Sequence, residues 1–261
     1  RTRDFSGSLS GEFTGMTILV TRPSPAAEEL VSRLRALGQV AWSLPLIEFT
    51  PGRDLDRLPQ LLSQLATGDL LFILSQHAIH YAKPIISQHN LTWPASLDYY
   101  AIGRTTALLM HTVSGLPVEY PHQRETSEVL IQLPALMQVA GKRALILRGN
   151  GGRELLAETL TERGAEVTFC ECSQRCAKVY DGLSEGRRWR DRGIDTLVVT
   201  SGEMLQQLYS LFPDIDRQEW LLRCRLVVVS ERLATLAREF GWQEITVADG
   251  ADNDALLRAL Q

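Results

Sequence analysis

Cysteine, long apolar runs and excess positive charge are all scarce in this sequence of 261 residues. No apolar run approaches the roughly 20 residues of a membrane span, and no secretory signal pattern is recognisable. Lysine and arginine total 27 against 31 aspartates and glutamates, a net charge of −4. This balance argues against a general nucleic-acid binder, because that class needs a basic face. We therefore expect a cytoplasmic protein with no nucleic-acid partner and no membrane.

The few cysteines do not form a metal-binding pattern. They are Cys170, Cys172, Cys176 and Cys224. Three of them are close together, but there is no C-x-x-C pair and no second pair to complete a zinc set. His77 and His80 could share one helix face but lack a third ligand. The sequence therefore predicts reduced thiols and no metal site.

Short apolar, β-branched runs alternate with polar turns and amphipathic stretches along most of the chain. This alternation predicts an α/β protein whose parallel strands are covered by helices. Residues 1–15 lack apolar periodicity, and we interpret them as a leader before a natural start at Met16. A chain of this length favours about two domains.

The strand–turn–helix pattern occurs twice, as three units in the same order, which we call A, B and C. The predicted strands are 17–20, 70–74 and 99–102 in the first set, and 144–147, 196–199 and 225–229 in the second. Arg22 and Gly38 of the first A unit recur at the same spacing as Arg148 and Gly164 of the second. The pattern predicts an internal duplication. Chain order alone favours tandem domains, A-B-C followed by A-B-C.

Each repeated turn follows the carboxyl end of a predicted strand and precedes a helix. Ligands of parallel α/β sheets bind at these ends, and helix N-termini favour carboxylates and phosphates because their amides are unpaired. Serine, threonine and glycine at such positions also occur as ordinary helix caps, so capping alone is the alternative for each turn. The turn 149–152 lacks the last glycine of the G-x-G-x-x-G pattern and has no Walker lysine, so a nucleotide site is not favoured.

Several short segments together resemble one family. They are Ile18–Pro23, Pro45–Phe49, Ala101–Gly103 with Thr106–Ala107, Gly141–Arg143 with Arg148–Glu154, Arg163–Val167 and Thr200–Ser201. From Met16 to Gln261 the chain is similar to the uroporphyrinogen-III synthases of enteric-type bacteria. The resemblance implies a lyase that cyclises hydroxymethylbilane to uroporphyrinogen III, with inversion of ring D and loss of water. This reaction belongs to the biosynthesis of tetrapyrroles such as haem, sirohaem and cobalamin.

The resemblance also implies how the domains are arranged. It predicts two similar flavodoxin-like parallel-sheet domains joined by a two-stranded β linker, with the substrate in the cleft. Domain 1 would take residues 16–45 and 176–261, domain 2 residues 51–169, and the linker residues 46–50 and 170–175. The repeated units would then be interleaved instead of tandem. The family expectation is a monomer.

By family position, the resemblance places the substrate contacts at the repeated turns, mostly through backbone amides. They are Thr21, Arg22, Ser75, His77, Gly103, Arg104, Thr105, Arg148, Gly149, Asn150, Gly151, Gly152, Thr200, Ser201 and Ser230. The expected partner is hydroxymethylbilane, a polycarboxylate, together with a transient contact with hydroxymethylbilane synthase. The family implies no metal ion and no organic cofactor.

One position departs from the family pattern. The second linker commonly carries a tyrosine that is thought to assist departure of the hydroxyl group, and Ser173 stands there in this chain. A serine hydroxyl is too short to reach the same point. We expect activity to survive, because azafulvene formation is chemically easy once the linear tetrapyrrole is folded. The sequence itself assigns no catalytic residue.

Two other functions compete with the synthase interpretation. One is a non-catalytic two-domain protein that binds a small anion, and the other is a nucleotide-dependent enzyme. Formation of only the non-enzymatic type I isomer would exclude the synthase, and the absence of a thermal shift with nucleotides would exclude the second.

Overall fold

The computed structural model describes residues 15–261. Contacts within the chain divide it into two units. Unit 1 comprises the described residues up to Glu48 together with Ala177–Gln261, and unit 2 is Phe49–Cys176. The predicted leader lies outside the described residues except for Gly15. Within the described part, no helix is both long and apolar enough to cross a membrane.

Strands and helices alternate along most of the described chain. The strands are β1 (Thr17–Val20), β2 (Val40–Ser43), β3 (Ile47–Pro51), β4 (Leu70–Ile73), β5 (Asp98–Ala101), β6 (Arg143–Arg148), β7 (Glu166–Glu171), β8 (Ser173–Ala177), β9 (Thr196–Val198), β10 (Arg225–Val228) and β11 (Ile245–Val247). The helices are α1 (Ala26–Ala36), α2 (Leu58–Ser63), α3 (Gln76–Gln88), α4 (Arg104–Ser114), α5 (Ser127–Leu130), α6 (Leu155–Glu162), α7 (Gly182–Asp191), α8 (Gly202–Leu211), α9 (Asp214–Glu219), α10 (Glu231–Phe240) and α11 (Asn253–Ala259). The predicted α/β class is confirmed.

Unit 1 contains a five-stranded sheet in the order β11-β10-β9-β1-β2. Neighbouring strands in this sheet are parallel. The sheet therefore combines the strand of the first A unit with those of the second B and C units. Chain order alone would have joined the first A, B and C strands, and the sheet does not follow that order.

Three consecutive residues of β1, an inner strand of this sheet, are apolar because both faces of the sheet are covered. Ile18, Leu19 and Val20 are fully buried, which is typical of a parallel strand between two layers of helices. Ile18 and Val20 pack in one core cluster with Leu30 and Leu34 of α1. Burying each such side chain contributes about 1.5–3 kcal/mol of hydrophobic free energy. This packing fixes the end of β1 and the turn that follows it.

Unit 2 contains a four-stranded parallel sheet in the order β5-β4-β6-β7. Successive residues of β4 point to opposite faces, so Leu71 belongs to one core cluster and Phe72 to the other. Leu145 and Ile146 divide in the same way on β6. The parallel pairing of β4 and β6 places the turns that follow these strands at the same edge of the sheet.

A separate two-stranded sheet is formed by β3 and β8. The boundary between the units falls within both strands, after Glu48 and after Cys176. Cys170 pairs with Leu147 as part of β7 in the four-stranded sheet. The second of these strands therefore begins later in the chain than the linker segment 170–175 predicted from the sequence.

The charged segment Gly182–Asp191 forms the helix α7. Asp181 caps it by accepting a hydrogen bond from the backbone N–H of Leu183 at 3.3 Å. Glu185 and Trp189 are buried, and the indole Nε1 of Trp189 donates to Glu185 Oε2 at 2.8 Å. The helix thus has one packed face, which its arginine-rich composition concealed.

Candidate functional site

The carboxyl ends of β4 and β6 border a cavity of about 660 Å³ in unit 2. Predicted residues in its lining are Ser75, His77, Arg148, Gly149, Asn150, Gly151, Gly152 and Ser173, and the other lining residues are Phe49, Leu74, Ile102, Ser127, Arg153 and Arg175. The structure thus brings together the predicted residues of the first B unit and the second A unit. We call this space the unit 2 cavity.

Ser75 and His77 are held at the start of α3. The Ser75 hydroxyl accepts a hydrogen bond from the backbone N–H of Ala78 at 3.2 Å, which caps the helix. The His77 ring is stacked on Phe49, with 3.5 Å between the ring centroids. Burial, and then the nearby His80, lower the pKa of His77. His77 therefore faces the cavity as a neutral ring at neutral pH.

Arg148 is held within its own turn at the end of β6. Its side chain is only 9% exposed, and its Nη1 lies 3.2 Å from Glu154 Oε1. The guanidinium carbon is 4.6 Å from the centroid of the Phe169 ring, a cation–π distance. Glu154 therefore neutralises the one buried arginine in this lining. Arg148 supplies less free positive charge to the cavity than its position in the sequence indicates.

The glycine turn after β6 is neither helix nor strand, and α6 begins at Leu155. Gly152 has φ +132°, a conformation that favours glycine. Asn150 joins this turn to β8, since its Oδ1 accepts a hydrogen bond from the backbone N–H of Arg175 at 2.7 Å. A Cβ added to Gly151 would meet no atom within 4 Å, so the turn leaves open space at that residue.

Ser173 also lines the unit 2 cavity, at the start of β8. Only 2% of it is exposed. A Cβ on Gly149 would lie 3.5 Å from the Ser173 hydroxyl oxygen. The position that carries tyrosine in the family pattern is therefore a tightly packed part of the lining in this chain, with room for a small side chain.

The predicted residues Gly103, Arg104 and Thr105 lie at the start of α4 and do not line the cavity, although Ile102 does. The backbone N–H of Arg104 donates to Glu125 Oε1 at 2.9 Å. Gly103 has no side chain with which to cap the helix, and Glu125 supplies the acceptor instead. A carboxylate of the protein itself thus occupies this predicted anion position. The sequence pattern did not identify Glu125.

A second carboxylate from the same segment lies beside the cavity. Glu128, in α5, forms an ion pair with Arg153, whose hydrogen bond lowers the pKa of Glu128. Arg153 was not among the predicted contacts, although it directly follows the glycine turn. Segment 125–128 therefore supplies carboxylates to two donors at this edge of unit 2.

Unit 1 has a corresponding cavity of about 650 Å³ at the ends of β9 and β10. Thr200, Ser201 and Ser230, all predicted, contribute to its lining. Ser201 caps α8 by accepting from the N–H of Met204 at 3.2 Å, and Ser230 caps α10 by accepting from Leu233 at 3.1 Å. We call this space the unit 1 cavity. Its helix starts are capped by their own serines.

Thr21 and Arg22 are not brought to either cavity. Thr21 is fully buried, and its hydroxyl donates to the carbonyl of Val198 at 2.7 Å. Arg22 Nη1 donates to Asn253 Oδ1 at 2.6 Å. The Thr21 side chain therefore holds β1 to β9 and is not available to a ligand in this structure.

Two of the four cysteines form a packed pair in unit 2. The Sγ atoms of Cys170 and Cys172 are 3.7 Å apart, and both residues are buried. The hydrogen bond to Cys170 and burial raise the pKa of Cys172, so the thiol stays neutral. Between residues 15 and 261, no cluster of three or more His, Cys, Asp and Glu side chains is placed to hold a metal ion.

Comparison with known proteins decides the family. A family model described as uroporphyrinogen-III synthase HemD matches residues 28–258. The uroporphyrinogen-III synthase of Salmonella typhimurium is 68% identical over 246 residues, which cover 94% of this chain and 100% of that protein. The chain belongs to the uroporphyrinogen-III synthase family. The synthase of Escherichia coli is 67% identical over the same shares of the two chains.

The fold of this member of the uroporphyrinogen-III synthase family is also found among solved structures. A mutant uroporphyrinogen III synthase from the extremely thermophilic bacterium Thermus thermophilus has a TM-score of 0.59 and 18% identity, covering 95% of this chain and 99% of that one. At that identity the likeness concerns the fold alone. The family resemblance inferred from the sequence and the assignment as an enzyme are confirmed by the relatives. A non-catalytic anion-binding protein is not favoured.

Proposed function

We propose that this chain cyclises hydroxymethylbilane to uroporphyrinogen III, with inversion of ring D and release of water, as a lyase of tetrapyrrole biosynthesis. The observation that carries the proposal is the identity of 68% and 67% to two proteins named uroporphyrinogen-III synthase, each matched over its full length. An identity of that extent covers both cavities, because it includes 94% of this chain.

The polar groups of the two cavities suit a polycarboxylate. Each cavity lies where parallel strands end and helices begin, so backbone amides and hydroxyls point toward the same space. Arg153, which is paired with Glu128, and Arg175 also line the unit 2 cavity. We assign carboxylate binding to these helix starts and arginines. Most contacts would then be made by the backbone, and single alanine changes would have small effects.

The chemistry asked of the protein is mainly positioning. The hydroxyl group leaves with one proton as water, which produces an azafulvene. The substituted carbon of ring D then attacks to give a spiro intermediate, the bond from that carbon to its original bridge breaks, and ring D rejoins the bridge through its other α-carbon. The proton released from that α-carbon replaces the pyrrole N–H proton that left with the water, so only water is lost overall. Holding the reacting carbons together can contribute about 7–11 kcal/mol to such a step. The protein must therefore favour one folded form of the substrate over the form that closes without inversion.

The lining of the unit 2 cavity fits a mechanism with little acid catalysis by side chains. Among its described lining residues there is no carboxylate, and His77 is the group whose pKa lies nearest neutrality. Because that pKa is lowered, little of the imidazole is protonated at pH 7. Departure of the hydroxyl would then depend on electron donation from the pyrrole. This supports the expectation that the chain is active with Ser173 where the family pattern has tyrosine.

The proposal also covers the domain bounds, the oligomeric state, the compartment and one protein partner. We assign residues 16–45 with 176–261 to one domain and 51–169 to the other, and we expect a monomer in the cytoplasm. Hydroxymethylbilane closes without an enzyme to the type I isomer. A transient contact with hydroxymethylbilane synthase would limit that loss.

The decisive experiment is separation of the uroporphyrinogen isomers formed from hydroxymethylbilane. We expect the type III isomer to predominate with the protein as it stands, and formation of type I alone would overturn the proposal. Ser173→Ala should keep turnover within about fivefold, since a neutral hydrogen bond is worth about 1 kcal/mol. Ser173→Tyr should raise turnover by less than a hundredfold. Thermal unfolding of both variants shows whether the packed site accepts them.

A further inference from the structure

A third cavity, of about 620 Å³, lies in unit 1 beside the edge strand β2. Its walls come from α1, the end of β2, residues 178–180 and α7. None of the substrate contacts predicted from the sequence lines it. We call it the β2-edge cavity. Its volume is in the range of small-molecule sites, roughly 300–1,000 Å³.

The charged lining of the β2-edge cavity is mostly positive. It contains Arg35, Lys178, Arg188 and Arg192 but a single carboxylate, Glu28. Arg188 has a carboxylate partner in Glu185, at 3.4 Å. Among residues 15–261, no carboxylate lies within ion-pair distance of the other three cations. Three of the four cations in this lining are therefore without an ion-pair partner, in a chain whose net charge is −4.

Aromatic rings hold these cations in place. The Arg192 guanidinium carbon is 4.0 Å from the Trp42 ring centroid and 5.1 Å from that of Trp189. On Trp42, the Arg35 guanidinium lies at 5.0 Å. A guanidinium stacked on a ring keeps the N–H groups of its edge available for two parallel hydrogen bonds to a carboxylate or phosphate. The stacking therefore preorganises two planar donors at one cavity.

The remaining wall is rigid as well. Lys178 Nζ lies 5.6 Å from the Tyr180 ring centroid, and the Tyr180 hydroxyl donates to the carbonyl of Pro45 at 2.6 Å. The indole N–H of Trp42 is buried and has no hydrogen-bond partner among the described residues. Such an unsatisfied donor is unusual in a packed protein. It is a further sign that a polar group is accommodated at this wall.

The cations of the β2-edge cavity could instead protect the edge strand β2 from pairing with another chain, since natural sheets often carry cations at their edges. It accounts for Arg35, whose Nε donates to the carbonyl of Ala41 in β2 at 3.0 Å. It does not account for Arg192 and Lys178, whose side chains stack on rings and donate to no strand carbonyl in the described chain. Two of the three uncompensated cations thus remain without a structural task.

We propose that the β2-edge cavity binds a small organic polyanion with two or three carboxylate or phosphate groups. Arg192 and Arg35 bind its oxygens through their guanidinium edges, and Lys178 adds a third positive charge. The proposal does not depend on cyclisation of hydroxymethylbilane, because its residues are separate from those assigned to the substrate.

Calorimetric titration of the whole chain at constant ionic strength tests the proposal, with citrate and pyrophosphate as probes. We expect saturable binding of at least one probe with Kd below about 1 mM. Binding of citrate alone identifies a carboxylate site, and binding of pyrophosphate alone identifies a phosphate site. The fluorescence of Trp42 and Trp189 should change over the same concentration range.

Arg192→Gln should weaken binding about tenfold or more, as expected when a bidentate charged contact is lost. Arg238→Gln is the matched control, because it removes the same charge from an exposed site on α10 outside this cavity. If Arg192→Gln does not fold, Lys178→Gln takes its place, since that side chain is exposed. No saturable binding up to about 10 mM, or binding unchanged in the cavity variants, overturns the proposal. Neither result would affect the isomer assay.

Discussion

The two units repeat the same backbone pattern but satisfy its helix starts differently. In unit 1, Ser201 and Ser230 cap the helices that border the cavity. In unit 2, Ser75 caps α3 in the same way, whereas α4 follows Gly103 and its first N–H donates to the carboxylate of Glu125. The duplication therefore preserved the helix starts themselves. What differs is whether a helix start is capped by the serine directly before it or by a carboxylate from elsewhere in the chain.

The A units show the same contrast. Arg22 and Arg148 correspond in the repeat, but Arg22 donates to the neutral Asn253 and Arg148 pairs with Glu154. Glu28, which corresponds to Glu154, instead accepts a hydrogen bond from Ser24. Unit 2 thus balances its turn charges internally. The following predictions test that difference, beginning with the largest expected effect.

Blocking the unit 2 cavity should have the largest effect. Gly151→Trp places an indole where a Cβ meets no atom within 4 Å and where φ is not in the left-handed region, so the fold should tolerate it. Because the indole fills space that the substrate needs, we expect formation of the type III isomer to fall more than about a hundredfold, equivalent to about 2.7 kcal/mol. The isomer assay measures formation of the type III isomer, and circular dichroism measures whether the fold is retained.

Gly15→Trp is the control for this change, since a Cβ there also meets no atom within 4 Å. It should leave both activity and fold intact. Full activity in Gly151→Trp would remove the unit 2 cavity from the proposed substrate site and leave only the unit 1 cavity.

Breaking the ion pair between Arg148 and Glu154 should have the largest effect on the free energy of unfolding. Glu154→Gln leaves a guanidinium that is 9% exposed without a carboxylate, and we expect unfolding of unit 2 to become easier by about 1–2 kcal/mol. The estimate is below the usual cost for a buried pair because Glu154 is 54% exposed. Hydrogen exchange of β6 and β1 measures the two units separately.

Glu28→Gln supplies the matched control from the other copy of the repeat. Glu28 is exposed and bonds only to a neighbouring serine, so its change should cost less than about 0.5 kcal/mol. Equal losses in the two variants would contradict the contrast between the A units.

The sequence could predict the features that depend on neighbours along the chain. The apolar run Ile18–Val20 predicts a strand covered on both faces, and Ser201 and Ser230 are predicted at helix starts because a cap lies next to its helix. Glu125 could not be found in this way, because tertiary folding brings it to Arg104 from a distant segment. Thr21 was predicted as a substrate contact because the sequence does not show that its hydroxyl has a partner within the protein. Its Val198 partner lies on a strand far along the chain.

Removing the caps of the two C-unit helices, α10 and α4, should change KM by smaller amounts and in opposite directions. Ser230→Ala removes a side-chain cap of α10 and should cost about 1 kcal/mol of stability and raise KM. Glu125→Ala vacates the start of α4, where the family resemblance predicts substrate contacts, and should lower KM about two- to fivefold. Steady-state kinetics distinguishes these outcomes. A rise of KM in both variants would mean that Glu125 only caps the helix.

The smallest effect should be a pH dependence confined to unit 2, which contains all five histidines of the chain. Burial and His80 hold the pKa of His77 below its ordinary value of 6.5. As the pH falls through that value, the unfolded chain takes up a proton that folded His77 resists, so stability is lost toward acid. His77→Phe keeps a flat ring against Phe49 but cannot titrate. In this variant the protection of unit 2 amides against hydrogen exchange should fall less between about pH 6.5 and pH 5 than in the unchanged protein. Hydrogen exchange in β1 of unit 1 should not change over this interval, and an equal acid loss in both units would assign the pH dependence to groups other than His77.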